Sequence, residues 1–125
     1  MKTPCELVVG KILPALRASV VRELSGKYHM KQSEIAKKLG ITQASVSQYL
    51  SSSRAGGTKM TSTFPKIQTY ADDIAKRIVS GEERYDWYGV LCIACKDIRT
   101  DEEFCKMHRL ASNLTGCDIC QKPEA

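Results

Sequence analysis

Residues 30–50 read MKQSEIAKKLGITQASVSQYL, and this stretch decides the fold. Its apolar residues recur at helical spacing and form two stripes: Ile35, Ala36 and Leu39, then Val46, Tyr49 and Leu50. Gly40 follows the first stripe, where helices often end in the left-handed conformation that glycine adopts at low cost. Thr42 offers a hydroxyl that can cap a second helix. The stretch therefore predicts two short helices joined by a tight glycine turn, a helix-turn-helix.

The second helix, Thr42 to Leu50, is predicted to expose a face of short polar side chains that suit base edges and phosphates. An ordinary helical hairpin inside a core is the alternative, but the agreement of stripes, turn and cap in one register favours DNA binding. The predicted contacts from this helix are Thr42, Gln43, Ala44, Ser45, Ser47 and Gln48. Backbone phosphates are expected to meet the nearby basic residues Lys31, Lys37, Lys38, Arg54 and Lys59.

The segment QSEIAKKLGITQASVSQYL, residues 32–50, resembles the helix-turn-helix of the Cro/repressor-like (XRE) regulators. This resemblance implies an all-α DNA-binding domain and a role in transcription. The partner it implies is double-stranded DNA.

Charge is divided unevenly along the chain. Residues 1–60 hold ten Lys and Arg against three Asp and Glu, a net charge of +7, and residues 61–125 hold nine against eleven, a net charge of −2. A basic half that contains a helix-turn-helix is expected of a protein that meets phosphate there. The acidic half is expected to face away from DNA.

The composition excludes several classes of protein. With 42% hydrophobic and 26% charged residues, the 125-residue chain is typical of a globular protein of one compact domain, or of one small domain with an appendage. No apolar run approaches the roughly 18 residues that a membrane span needs, and the N-terminus lacks the pattern of a secretory signal. We expect a cytoplasmic protein that does not enter a membrane.

The segments on either side of residues 30–50 are predicted from periodicity and turn formers. Residues 4–25 form a long apolar helix that Pro14 interrupts near Lys11 to Leu13. Residues 51–63 are rich in turn formers and predict a loop, with a short β-wing as the alternative. Residues 64–80 return to an amphipathic helix for packing or dimerisation. Trp87 is either a core anchor or a shield for a cofactor.

Five of the six cysteines fall between residues 92 and 120: Cys92, Cys95, Cys105, Cys117 and Cys120. Two CxxC pairs so close together are typical of metal sites, because each pair directs both sulfurs to one side. We therefore predict a metal centre ligated from this set. The sixth, Cys5, is expected to be a small buried residue. His108 is a possible further ligand, although a surface position is the stronger expectation.

The nature of the centre is left open by the spacing. An iron–sulfur cluster, 4Fe-4S or 3Fe-4S, would use Cys92, Cys95 and Cys105 with either Cys117 or Cys120. Zinc would take the two CxxC pairs and leave Cys105 as a spectator, but neither pair carries the glycine or proline of a zinc knuckle. A thiol–disulfide switch needs no metal at all.

A helix-turn-helix followed by this cysteine pattern also resembles small archaeal-type regulators that carry iron–sulfur clusters. The similarity extends loosely to the opening TPCELVVGKILPALR, residues 3–17. It implies a cysteine-bound cluster that reports on sulfur supply, iron supply or redox state.

These observations predict an all-α protein with two parts. Residues 1–63 would form the helix-turn-helix DNA-binding domain, and residues 64–125 a helical, cysteine-rich segment for metal binding and dimerisation. We expect a homodimeric transcriptional regulator on a near-palindromic operator. An enzyme is not expected, since the chain has no phosphate loop and no base beside a nucleophile. A zinc-containing protein–protein adaptor is the remaining alternative.

Overall fold

The computed structural model describes residues 3–51 and 57–112. Throughout these two stretches the regular structure is helical and no strand occurs, so the predicted all-α class is confirmed there. Eight α-helices and one π-helical segment follow in this order: α1 (Pro4–Leu7), the π-helical segment (Val8–Ile12), α2 (Leu13–Gly26), α3 (Gln32–Leu39), α4 (Gln43–Leu50), α5 (Gly57–Thr63), α6 (Lys66–Val79), α7 (Arg84–Arg99) and α8 (Glu102–Ser112).

The first part of the chain is helical but not one regular helix. The α-helical pattern is interrupted over Val8–Ile12, where Leu13 N–H donates to the carbonyl of Val8, five residues back. The next residue, Pro14, lacks an N–H and lies in the first turn of α2, where a helix tolerates it. The predicted interruption near Lys11 to Leu13 is therefore confirmed, and it takes the form of a wider turn.

Helix α2 is the central element of the described fold. It packs against α6 and α5 and also contacts α3 and α4. Its buried face is almost wholly aliphatic: Ala15, Leu16, Ala18, Val20, Val21 and Leu24. Helices α3 and α4 therefore pack against the apolar face of α2, and Ile35 and Val46 are fully buried.

The stretch from Ser51 to Thr63 differs from the prediction. Its second half is helix α5 rather than a loop, and this helix also rules out a β-wing over Gly57–Thr63. The residues of α5 have low helix propensity, but Met60 is buried in the core and Thr61 lies 3.5 Å from Ser19 of α2, hydroxyl to hydroxyl. Tertiary packing therefore overrides the local preference that the sequence shows.

Helix α6 occupies the predicted position and packs between α2 and α7. Polar contacts fix α7 on α6: Tyr70 donates to Asp97 at 2.5 Å, and Lys66 pairs with the same carboxylate at 2.9 Å. Trp87 of α7 is 4% exposed and belongs to the core cluster, which agrees with the anchor interpretation.

A single buried cluster draws residues from both predicted parts of the chain. Val21 of α2, Val46 of α4, Ile74 of α6 and Ile98 of α7 all belong to it. The division at residue 63 remains a prediction. None of the helices within the described residues has the length and apolarity to cross a membrane.

Candidate functional site

The turn between α3 and α4 is built around Gly40. This residue has φ +70° and ψ +33°, the left-handed conformation, and Ile41 N–H donates to the carbonyl of Ala36 at 3.0 Å. Arg84, the first residue of α7, donates from Nη2 to the carbonyl of Lys37 at 3.1 Å. A Cβ at position 40 would lie 2.8 Å from Arg84 Nη1. Glycine is therefore favoured here for its backbone angles, and any larger residue would also have to displace the Arg84 guanidinium.

Thr42 caps α4 as the sequence predicts. Its Oγ1 accepts a hydrogen bond from Ser45 N–H at 3.1 Å and donates to Ser45 Oγ at 2.9 Å. The cap fixes the start of the helix at Gln43. It also engages two of the predicted DNA contacts with each other, although the Ser45 hydroxyl keeps its own proton to donate.

The outer surface of α4 forms a polar face that consists of Gln43, Ala44, Ser47 and Gln48, all exposed. Ser45 is half-buried at its edge. On the opposite side Val46 is fully buried and Tyr49 is 5% exposed. The α4 polar face is therefore held from behind by the core and is free to meet another molecule.

Basic residues lie at the two ends of α3, the helix that precedes α4. Lys31, Lys37 and Lys38 are exposed, and none of them forms an ion pair with any residue the structure describes. The backbone of Lys59 lies in α5. Arg54 lies outside the described residues. Three of the five predicted phosphate contacts are thus exposed cations without an internal counterion.

The predicted metal ligands are divided by burial. Cys92 and Cys95 lie one helical turn apart on α7, with Cys92 exposed and Cys95 half-buried, whereas Cys105 on α8 is only 5% exposed. Cys117 and Cys120 lie outside the described residues. Within residues 3–51 and 57–112, no three His, Cys, Asp or Glu side chains are arranged to hold a metal ion. The predicted ligand set therefore remains a prediction, and the described residues bring only Cys92 and Cys95 into the same cleft.

The expectation for Cys5 was wrong. This thiol is exposed, because it falls on the outer side of the short helix α1. Burial raises the pKa of the Cys95 thiol, and repulsion from Cys5 and Cys92 adds to that effect, while the Arg99 guanidinium opposes it. The N-terminal helix thus brings a third sulfur near the CxxC pair, which residue spacing could not reveal.

The expectation that His108 lies at the surface was also wrong, since it is 5% exposed. Phe104, Cys105 and His108 share one face of α8, and that face packs into the protein. The spacing of these three residues was a signal available in the sequence. The Nε of Arg99, by contrast, is buried without a hydrogen-bond partner among the described residues. The charge of the same guanidinium is close enough to Cys95 to oppose the rise in the pKa of that thiol.

A cleft of about 550 Å³ connects the cysteine pair to the turn. Its walls come from α2, α6, α7 and the turn residues Leu39, Gly40 and Ile41, and both Cys92 and Cys95 line it. Neither the cleft nor the contact from Arg84 to the turn was predicted, because they join residues far apart in the chain.

No known protein family matches this chain, and no curated protein and no solved structure is found to be similar to it.

Proposed function

We propose that the protein is a sequence-specific DNA-binding transcriptional regulator that acts as a homodimer. One observation carries the proposal. The α4 polar face is exposed, while Val46 and Tyr49 on the reverse side are buried and anchor the helix in the core. An exposed polar helix with a rigid backing is what insertion into a major groove needs. Glutamine side chains can make the two-point contacts that distinguish adenine from other bases.

The exposed lysines at the ends of α3 would supply the second requirement, which is affinity for phosphate. Lys31, Lys37 and Lys38 form no ion pair with any described residue, so contact with DNA does not break an existing one. Lys37 and Lys38 do share a cleft with Glu34, Glu82 and Glu83, whose charge opposes the approach of phosphate there. Contacts to phosphate position the protein but carry no sequence information. Two subunits would place their α4 helices in half-sites roughly 34–36 Å apart. Exposed apolar residues such as Val9 and Ile93 offer surface for the dimer contact.

The base-reading role is tested with the variant Gln43→Ala, Gln48→Ala. A preferred duplex is first selected from a randomised pool with the full chain. We expect the variant to lose the preference for this duplex over random DNA, by about tenfold or more per lost adenine contact at 1–3 kcal/mol each, while it keeps its affinity for random DNA. Thr69→Ala, an exposed polar residue on α6, is the matched control.

Two results would contradict this part of the proposal. Unchanged preference in the double variant would mean that another surface reads the bases. A flat dependence of binding on salt concentration would exclude phosphate neutralisation, since each neutralised phosphate steepens the slope, and would favour a protein–protein adaptor.

The cysteines are proposed to hold an iron–sulfur cluster, ligated by Cys92, Cys95 and Cys105 with either Cys117 or Cys120. The pair on α7 lies one helical turn apart, and both of its cysteines line the same cleft. Helix α7 is also the element that reaches the turn at Gly40 through Arg84. A structural change at Cys92 and Cys95 would therefore shift α7 and its contact with the turn that precedes the DNA-binding helix α4.

Iron and acid-labile sulfide are measured in protein purified without oxygen, together with the visible absorption spectrum. We expect stoichiometric iron and sulfide, and loss of both in single Ser variants of the ligand cysteines. Stoichiometric zinc in a colourless protein would replace the cluster by a structural zinc site, and absence of any metal would leave the dithiol switch. If Cys5→Ser also lost iron, the proposed ligand set would be wrong.

A further inference from the structure

The cleft between α2, α6, α7 and the turn has the composition of a ligand site. Its walls are mostly aliphatic and aromatic, with Leu13, Ile74 and Leu91 among them, and Trp87 and Tyr88 at one side. Its volume of about 550 Å³ lies within the range of small-molecule sites. Apolar surface of this kind is stabilised when an apolar body covers it and removes it from water.

Arg17 is the charged side chain that lines the cleft. It is exposed, and it forms neither an ion pair nor a side-chain hydrogen bond with any residue in the described stretches. A guanidinium in this position offers a forked set of donors that matches a carboxylate or a sulfonate. A cationic ligand would be repelled, and a neutral apolar ligand would gain nothing from the guanidinium.

We propose that this cleft binds a small amphipathic anion, with its apolar body against Leu13, Ile74 and Leu91 and its acidic group on Arg17. The site is distinct from the α4 polar face, and it adjoins the proposed cluster ligands Cys92 and Cys95, which line the same cleft. Because Leu39, Gly40 and Ile41 form part of the wall, an occupant would touch the turn between α3 and α4 directly. That consequence for DNA binding rests on the proposed function, whereas the binding itself does not.

The chain contains one tryptophan, Trp87, and this residue lines the cleft. Trp87 also lines a second cleft with Glu82 and Glu83, so its fluorescence reports that dye is bound, and the variants below assign the dye to this cleft. The full chain, reduced and free of oxygen, is titrated with 8-anilinonaphthalene-1-sulfonate, an aromatic anion whose excitation overlaps tryptophan emission. We expect saturable energy transfer from Trp87 to the bound dye. Decanoate and 3-phenylpropionate then compete in separate arms to distinguish an aliphatic from an aromatic ligand, and decanol serves as the neutral counterpart of decanoate.

Substitutions assign the anion contact. We expect Arg17→Gln to weaken dye binding about tenfold, and Arg17→Lys, which keeps the charge, to weaken it by less. Lys76→Gln removes an exposed cation of α6 that does not line the cleft and is expected to change nothing. Leu91→Phe narrows the cleft and is expected to weaken the dye and both carboxylates. Circular dichroism of each variant checks that the fold is kept.

Equal dye affinity in Arg17→Gln and the unaltered chain would overturn the proposal, as would competition by decanol as strong as that by decanoate. DNA binding is measured in parallel on the selected duplex. A protein that binds the anion through Arg17 but binds no DNA would support the ligand site and contradict the proposed function. A protein that binds DNA and shows no Arg17-dependent binding would overturn the ligand site alone.

Discussion

Gly40 lies where α3, α4 and α7 come together. It caps the C-terminus of α3, it precedes α4, and the Arg84 side chain of α7 packs against it. Gly40→Ala should destabilise the protein by about 1–2 kcal/mol through its left-handed backbone, with a further loss where Cβ displaces the guanidinium. Gly81, also at positive φ but with open space around it, isolates the backbone cost when changed to Ala. Gly89→Ala, inside α7 and uncrowded, should instead stabilise by about 0.5–1 kcal/mol. Urea unfolding followed by circular dichroism measures all three.

The outcome for Gly40→Ala is decided by comparison. If it cost no more than Gly81→Ala, the contact with Arg84 would add nothing to the turn. If it cost more, Arg84→Ala in the Gly40→Ala background should cost little further, because the hydrogen bond to the Lys37 carbonyl is already lost.

Single residues were predictable where their reason is local. Gly40 and Thr42 act on neighbours within four positions, so the sequence identified both the turn and the cap. Arg84 acts on Lys37, which lies 47 positions away, and no pattern indicates such a pair. Cys5 was misplaced because its residue type is usually buried, whereas the face of a short helix decided its exposure. His108 was expected at the surface, although it lies four residues after Phe104 and therefore on the same buried face of the helix.

At the scale of elements, α5 is the helix that depends most on its surroundings. It has seven residues, GTKMTST, and is too short and too poor in helix formers to be stable alone. Met60→Ala should therefore cost about 2–3 kcal/mol, at the lower end for a buried methionine. It should also release the Phe64 amide, which donates to the Met60 carbonyl at 2.8 Å. Hydrogen exchange at Phe64 should become faster than in Ser62→Ala, an exposed control in the same helix. Equal exchange in both variants would show that packing of Met60 does not hold α5.

The long helices were predictable because their apolar stripes are complete within a dozen residues, as in α6 with Ile67, Ala71, Ile74 and Ile78. Helix α5 was not, since its stability comes from α2 rather than from its own sequence. The α4 polar face followed from the same periodicity. The cleft did not, because it exists only once α2, α6 and α7 have packed together.

For the molecule as a whole, the contact of α6 with α7 makes stability depend on pH at both extremes. Hydrogen bonding from Tyr70, followed by Lys66, lowers the pKa of Asp97, so the stability from this carboxylate is present above its unfolded pKa of about 4. That stability is lost as pH falls through the lower folded pKa. Hydrogen bonding to Asp97 raises the pKa of Tyr70 to about 12. Its contribution is complete below the unfolded pKa of about 10 and is lost as pH rises toward the folded value.

Asp97→Asn tests both limits at once, because it removes the charge that both Tyr70 and Lys66 contact. Titration of tyrosinate absorbance should show one of the five tyrosines ionising near pH 12 in the unaltered chain and nearer pH 10 in the variant. Asp73→Asn, whose carboxylate pairs with Arg77 on the exposed side of α6, should leave that tyrosine unchanged. The drop in stability between pH 5 and pH 3 should also be smaller in Asp97→Asn than in Asp73→Asn. A high-pKa tyrosine that persists in Asp97→Asn would mean that burial alone holds its proton, and that the two helices are joined by apolar packing without the polar contact.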